Sequence, residues 1–475
     1  MGKNISRTKI VATIGPACSS EEVLAKLILE GVDVFRVNFS HGTYDQHLEV
    51  INRIKKVNQT LNTNVAILAD LQGPKIRVGE VENNGIDLIA GEEIVFTTTK
   101  CMGTKRGLYI SYQTFPQDVQ VGEYILLDDG KLRMEVTETN RIDNVKARVL
   151  NGGILSSKKG VNLPNTKISL PSLTEKDRAD AEFAIAQDVD WLALSFVRSA
   201  TDIVDLHELI KKHKKHTWII AKIEKPEALI EIDNIIDMTH GIMIARGDLG
   251  VETPFDKVPL VQKDIIKRCQ LAGKPVIVAT QMMESMITNF RPTRAEANDV
   301  ANAVIDGADA LMLSGETSVG KYPVETIQSM QRIISYTEEN AYKFNSSEAP
   351  KEFTPKFLAD SICYNATLMA KQTNAKAIVT FTHSGHTAFK ISGYRPKANV
   401  FVFTANKELV NKLSLFWGVQ AFYYEGSEQI DEAINNTLLK LKEKQEIKED
   451  DIVVHVGSMP MNKRGQTNML KVTYL

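Results

Sequence analysis

Residues 218–249, WIIAKIEKPEALIEIDNIIDMTHGIMIARGDL, carry two short apolar runs, WIIAKI and GIMIARGDL, on either side of a longer amphipathic stretch. Strand, helix, strand in this order is the repeating unit of a parallel α/β architecture. The same rhythm extends outward in both directions. KIVATIG from Lys9, VDVFRVNF from Val32, VAILADL from Val65 and WLALSFV from Trp191 come before it, and PVIVAT from Pro275 and ALMLS from Ala310 come after. Eight such runs are what a (β/α)8 TIM barrel needs, so an α/β chain with a closed barrel is expected rather than an open sheet.

Between the third and fourth runs the pattern changes. Residues from about 75 to 170 show short strands and glycine turns with little helical periodicity, including GEEIVFTTT, GEYILLDDGKLRMEV and KARVLNGG. This predicts an inserted β-barrel lid domain, with hairpin turns at Asp129-Gly130 and Asn151-Gly152. An insertion after the third strand projects from the face where barrel enzymes react, and can close over a ligand. After the eighth run, the helical VETIQSMQRIISYTEENAY leads into the polar, proline-containing NSSEAPKEFTP, which reads as a boundary. Beyond it AKAIVTFT, ANVFVFT, GVQAFYY, DIVVHVG and LKVTYL alternate with helices. The expected division is a catalytic barrel over 1–74 and 171–340, a lid over 75–170 and a C-terminal α/β regulatory domain over 341–475.

Composition narrows the partners. Of 475 residues 43% are hydrophobic, enough for a large core, and 57 Lys and Arg balance 59 Asp and Glu. No global basic field draws the chain to nucleic acid or anionic lipid, so small molecules are the expected ligands. No apolar run approaches the ~18 residues of a membrane span. The four cysteines, Cys18, Cys101, Cys269 and Cys363, lie far apart without metal-ligand spacing. That pattern fits a reducing compartment, and a cytoplasmic location is expected.

Side chains two apart in a strand share a face, which selects the candidate site. Arg36, Asn38 and Ser40 share one at the end of the second run, and Lys222 and Glu224 share one at the end of the fifth. Asp70 and Asp248 end the third and sixth runs on the same rim, and Thr280 ends the seventh. In the turn from Ala245 to Gly250, glycines including Gly247 are expected to leave N–H groups free for an anion. Taken singly, these residues read as ion pairs, helix caps or turn glycines. Together they put cations and carboxylates at one mouth, where a divalent ion on Glu224 and Asp248 beside Arg36 and Lys222 suits phosphoryl transfer. Carboxylate oxygens favour Mg2+ or Mn2+.

KIVATIGPA, FRVNFSHG, DLQGPKIR, SKKGVNLP, KIEKPEA, ARGDLG, ATQMMESM, RPTRAEANDVANAV and LSGETSVGKYP together resemble the pyruvate kinase family, in its expected order. The resemblance implies transfer of a phosphoryl group from phosphoenolpyruvate to ADP, giving pyruvate and ATP, in the last step of glycolysis. It implies that Arg36 and Lys222 bind the phosphoryl group, Lys222 stabilising the charge developed in transfer, and that Glu224 and Asp248 hold Mg2+. Gly247, Asp248 and Thr280 are implied to take the carboxylate end of phosphoenolpyruvate, with Thr280 near the enolate. Arg77, Lys159, Asn38 and His41 are implied on the nucleotide side, and a homotetramer is the family's usual assembly.

The family also uses a monovalent cation near Asn38, Ser40, Asp70 and Leu71. Potassium-dependent members carry Thr-Lys where this chain has Leu71-Gln72, and Glu where it has Lys75, so K+ is expected to be dispensable, with Lys75 supplying the positive charge. In the C-terminal domain Thr382, Ser384, Gly385 and Thr387 follow a strand and open a helix, a geometry suited to an effector phosphate. Animal members of the family that respond to fructose-1,6-bisphosphate have Lys and Arg where this chain has His383 and His386. Two other readings stand beside this one: a lyase or aldolase forming a metal-bound enolate, and a non-catalytic ligand sensor on the same fold.

Overall fold

The protein is described from a computed structural model over residues 6–345, 348–350, 356–426, 429–460 and 467–475. Part of the linker, 346–347 and 351–355, lies outside the described residues. Strands Lys9–Thr13, Val34–Asn38, Ala66–Asp70, Trp191–Leu194, Trp218–Ile223, Gly241–Ala245, Val276–Ala279 and Ala310–Leu313 close a parallel barrel in which the first pairs with the last. They are the eight runs read from the sequence.

These strands are apolar on both faces because both faces are covered. Val11, Leu68, Ile220, Met243 and Ile277 pack together as one layer, while Ile10, Ile67, Ile219 and Ile242 belong to the layer that meets the surrounding helices. The helices are bounded by their own sequence. Thr43 with Gln46, Thr174 with Asp177 and Thr293 with Glu296 form reciprocal caps at three N-termini, and Gly31, Gly273 and Gly307 end three helices in the left-handed region.

The insertion holds a six-stranded sheet over its own apolar core, including Phe96, Phe115, Ile125, Met134 and Val149. The edges of that sheet meet through residues 77–78, since Arg77 bridges Gly160 and Val78 bridges Ile110. Asp129-Gly130 lies in the turn between Tyr124–Leu127 and Leu132–Thr139, an antiparallel hairpin as expected. Asn151-Gly152 does not turn a hairpin. The strand Gly153–Leu155 pairs instead with Ile86–Leu88, and a Cβ at Gly152 would lie 2.0 Å from Leu88 O, so glycine is required there by close backbone approach. The preceding hairpin turns at residues 140–143, where Asn140 Oδ1 accepts N–H groups from Ile142, Asp143 and Asn144. An asparagine side chain replaced the expected glycine signal.

The C-terminal unit carries five strands in the order Val419–Tyr423, Asn399–Thr404, Ala377–Phe381, Ile452–Gly457 and Met469–Tyr474, the last antiparallel. It packs on the base of the barrel, away from the catalytic rim. There Arg395, 2% exposed, reaches both oxygens of Asp309 at 2.9 and 3.0 Å and lies over the Trp417 ring.

Candidate active site

The candidate side chains continue the inner layer of the barrel by the two-residue alternation. Val11 leads to Thr13, Val34 to Arg36 and Asn38, Leu68 to Asp70, Ala193 to Ser195, and Ile220 to Lys222 and Glu224. An apolar plug thus gives way to polar groups at the C-terminal ends of the strands.

Asp70, 1% exposed, is the centre of the cluster. Its Oδ2 accepts from Arg36 Nε at 2.6 Å, and its Oδ1 lies 3.2 Å from Lys222 Nζ. Burial by itself would raise its pKa, but Lys222 and Arg36 outweigh burial and hold the carboxyl below its ordinary value. Lys222 Nζ is also 3.0 Å from Glu224 Oε1. Burial disfavours its charge, yet Asp70 and Glu224 prevail and hold the ammonium above the usual lysine value. Lys222 is therefore a fixed cation.

Glu224 is buried and accepts from Phe196 N at 2.7 Å. Burial raises its pKa; Lys222 opposes that, and the like charge of Asp248 adds to it. Two carboxylates that repel across a small space, both hard oxygen donors, fit a divalent cation, which would relieve that repulsion. No group of three or more His, Cys, Asp or Glu suited to a metal occurs among the described residues.

The glycine turn differs from expectation in one respect. Helix Arg246–Glu252 begins there, but Gly247 N–H is not free: it donates to Thr280 Oγ1 at 2.8 Å. Thr280 has φ +70° and Gln281 φ +55°, left-handed conformations that a β-branched residue adopts only under constraint. Arg246 supplies that constraint, donating to Thr280 O at 2.8 Å while gripping both oxygens of Asp299 at 2.8 Å.

The remaining candidates are more dispersed. Lys159 of the lid pairs with Asp128 at 2.7 Å; that hydrogen bond raises the Lys159 pKa and is the chief cause lowering that of Asp128. Arg77 donates to Lys158 O, and His41 is exposed beside Asn38. Asn38 Oδ1 accepts from Ser40 N at 3.1 Å, and Leu71 O accepts from Ser195 Oγ at 2.7 Å. Lys75 lies 4.0 Å from Asp248 Oδ1, so the cations that contact Asp70 are Arg36 and Lys222 rather than Lys75. In the C-terminal loop Gly385 N–H donates to Thr382 Oγ1, Ser384 is exposed, and Thr387 is buried against Thr467. His386 and Lys390 both pair with Asp360.

Sequence reading missed Ser195, Thr13 and Arg246. Ser195 Oγ accepts from Lys222 Nζ at 2.6 Å, and Thr13 Oγ1 accepts from Arg36 at 3.0 Å. The alternation rule contained both, since each lies two residues beyond an inner-layer side chain, but a lone hydroxyl gave no reason to look. Ser195→Ala is expected to lower kcat about 10- to 100-fold, the worth of one hydrogen bond to a charged group, with a smaller change in KM. Steady-state kinetics beside Ser195→Thr, which keeps the hydroxyl, checks this.

A barrel mouth that gathers Arg36 and Lys222 with several carboxylates beneath an inserted lid suits a negatively charged ligand bound together with a cation. The pyruvate kinase barrel-domain family matches residues 5–327, and the pyruvate kinase alpha/beta-domain family matches residues 360–473. Pyruvate kinases of Staphylococcus aureus strains MRSA252 and USA300 are 42% identical over 468 residues, covering 98% of this chain and 80% of theirs. A solved structure of a pyruvate kinase from Cryptosporidium parvum superposes with a TM-score of 0.92 at 35% identity, covering 99% of this chain and 96% of that one. The chain belongs to the pyruvate kinase family.

Proposed function

We propose that this chain transfers the phosphoryl group of phosphoenolpyruvate to ADP, forming pyruvate and ATP, the closing step of glycolysis. The observation that carries this reading is the Arg36, Lys222, Asp70 and Glu224 cluster at the strand ends, in a chain that matches both domains of the family. It separates the enzyme from a sensor that has lost its chemistry. The matched lid, with Lys159 and Arg77, favours it over a metal-dependent lyase, which has no use for a nucleotide.

Arg36 and Lys222 hold the phosphoryl group and balance its charge as it moves, both pre-set by Asp70 so that little reorganisation is needed. Thr280 and the Gly247–Asp248 turn take the substrate carboxylate. Asn38, His41, Arg77 and Lys159 act on the nucleotide side. Glu224 and Asp248 are the residues to hold Mg2+ or Mn2+, which when bound supplies Lewis-acid charge neutralisation.

Activity without potassium is part of the same reading. Asn38, Asp70 and Leu71 already accept protein donors, Asp70 contacts two cations, and Lys75 adds a third positive charge at Asp248. Residues 1–74 with 171–340 act as the catalytic barrel, 75–170 as its lid and 341–475 as the regulatory domain. The loop of Thr382, Ser384, Gly385 and Thr387 receives a phosphorylated effector. The assembly is a cytoplasmic homotetramer; among the described residues no helix is long and apolar enough to cross a membrane.

The test is pyruvate formation from phosphoenolpyruvate with ADP and Mg2+, in KCl against tetramethylammonium chloride at equal ionic strength. Turnover that needs ADP and Mg2+ and is the same in both salts is expected. Turnover independent of ADP would move the assignment to a lyase, and a many-fold activation by KCl would remove the role of Lys75.

A further inference from the structure

Behind the carboxylate pair lies a second ion pair that the reaction does not use. Lys225 directly follows Glu224, and Glu252 ends the short helix that bears Asp248. Lys225 Nζ meets Glu252 Oε1 at 2.7 Å, with both side chains buried. One salt bridge therefore ties the segment carrying one candidate cation ligand to the helix carrying the other. The lid reaches the same oxygen: Asn162, in its last strand Val161–Asn162, donates from Nδ2 to Glu252 Oε1 at 3.0 Å. Glu252 Oε2 is buried and accepts no hydrogen bond among the described residues. A cavity of about 30 Å3, bordered by Lys75, Asn162, Lys225, Asp248 and Glu252, adjoins the pair.

The lid also comes close to this helix at a second place. A Cβ at Gly130, in the hairpin turn, would lie 3.7 Å from Val251 Cγ1. On the returning side of the lid, Arg198 of the barrel donates to Leu170 O at 2.8 Å and to Ile168 O.

We propose that Asn162, Glu252 and Lys225 form a latch that docks the lid and fixes the spacing of Glu224 and Asp248 at the same time. They are positioning residues. With the lid docked, the Asn162 amide adds a second donor to a carboxylate oxygen that, among the described residues, is otherwise met only by Lys225, so the site's carboxylates are best held when the lid is down. With the lid lifted, Glu252 keeps its salt bridge but loses a neutral donor in a buried setting where an unmade hydrogen bond is costly. This inference rests on the reading of the lid as the nucleotide-side cover.

The experiment compares Asn162→Ala, Glu252→Gln and the double variant in the full-length protein. Asn162→Ala is expected to raise KM for ADP about five- to tenfold, the net worth of one ordinary hydrogen bond, with KM for phosphoenolpyruvate changed less than about twofold. Glu252→Gln is expected also to raise the Mg2+ concentration for half-maximal rate, and the double variant to be no worse for ADP than Glu252→Gln alone. Hydrogen exchange over residues 161–170 in the ligand-free protein should quicken in Asn162→Ala, a readout independent of turnover. Exchange and ADP KM both unchanged, or effects that multiply in the double variant, would overturn the latch. Quickened exchange in a protein that does not turn over phosphoenolpyruvate with ADP would leave the latch standing and remove the activity reading instead.

Discussion

Lys222→Met is expected to reduce turnover by about 10³-fold or more while phosphoenolpyruvate binding stays measurable. Electrostatic groups aimed at a transferring phosphoryl group contribute on this scale when they are pre-organised. Lys222 is pre-organised on three sides, by Asp70 at 3.2 Å, Glu224 at 3.0 Å and Ser195 at 2.6 Å. Met keeps the bulk of the stem and removes only the charge. The loss should fall on kcat, because Arg36 still pairs with Asp70 and can hold the substrate's phosphate. Single-turnover kinetics and titration of phosphoenolpyruvate binding separate the two effects, and a fully active variant would end the assignment.

The pH dependence has a defined sign. Because the folded protein raises the Lys222 pKa, its contribution to stability is present below the ordinary lysine value and is lost only as pH rises through the higher folded value. The pH–rate profile should therefore show no limb from Lys222 up to about pH 10. Asp70 is shifted the other way, so its contribution is present above the ordinary carboxylate value and is lost as acid brings pH down through the depressed folded one.

Arg395→Met is expected to be the most destabilising single substitution at the domain junction, costing about 3–5 kcal/mol. Asp309 sits 3% exposed under the barrel and would keep a charge without its cation. Its remaining donors are the backbone amides of Val276 and Trp417, which cannot replace a guanidinium that binds both oxygens. Arg395 NH2 also donates to Gly307 O at 2.7 Å, so one side chain joins the C-terminal unit to a helix end and a strand start of the barrel. The midpoint of denaturant-induced unfolding is the appropriate measure, since a chain with several units need not unfold in one step. A midpoint within error of the unsubstituted protein would show that the junction relaxes around the loss.

Much of this molecule was legible without coordinates. The eight barrel strands and the first four C-terminal strands fall where their apolar runs predicted, because buried parallel strands must be apolar on both faces and so stand out as continuous runs; the fifth, Met469–Tyr474, is an antiparallel edge strand that is only partly buried. The rim residues Arg36, Asp70, Lys222 and Glu224 were legible for the same reason: a charge at the end of such a run, in step with its inner face, has no apolar explanation. Turn chemistry was less legible. Asn151-Gly152 has the composition of a hairpin but serves a close backbone crossing, and the true turn uses Asn140 side-chain hydrogen bonds.

The sequence by itself determined the periodicity, the order of the elements and which side chains reach the rim, since these follow from local alternation along one strand. Only the tertiary structure decided the partners. Lys75 faces Asp248 and not Asp70, Gly247 N–H is taken by Thr280, Ser195 orients Lys222, and Glu252 meets both Lys225 and the lid's Asn162. Those contacts join residues tens of positions apart, and their geometry depends on barrel closure and on where the lid comes to rest, which no local pattern encodes.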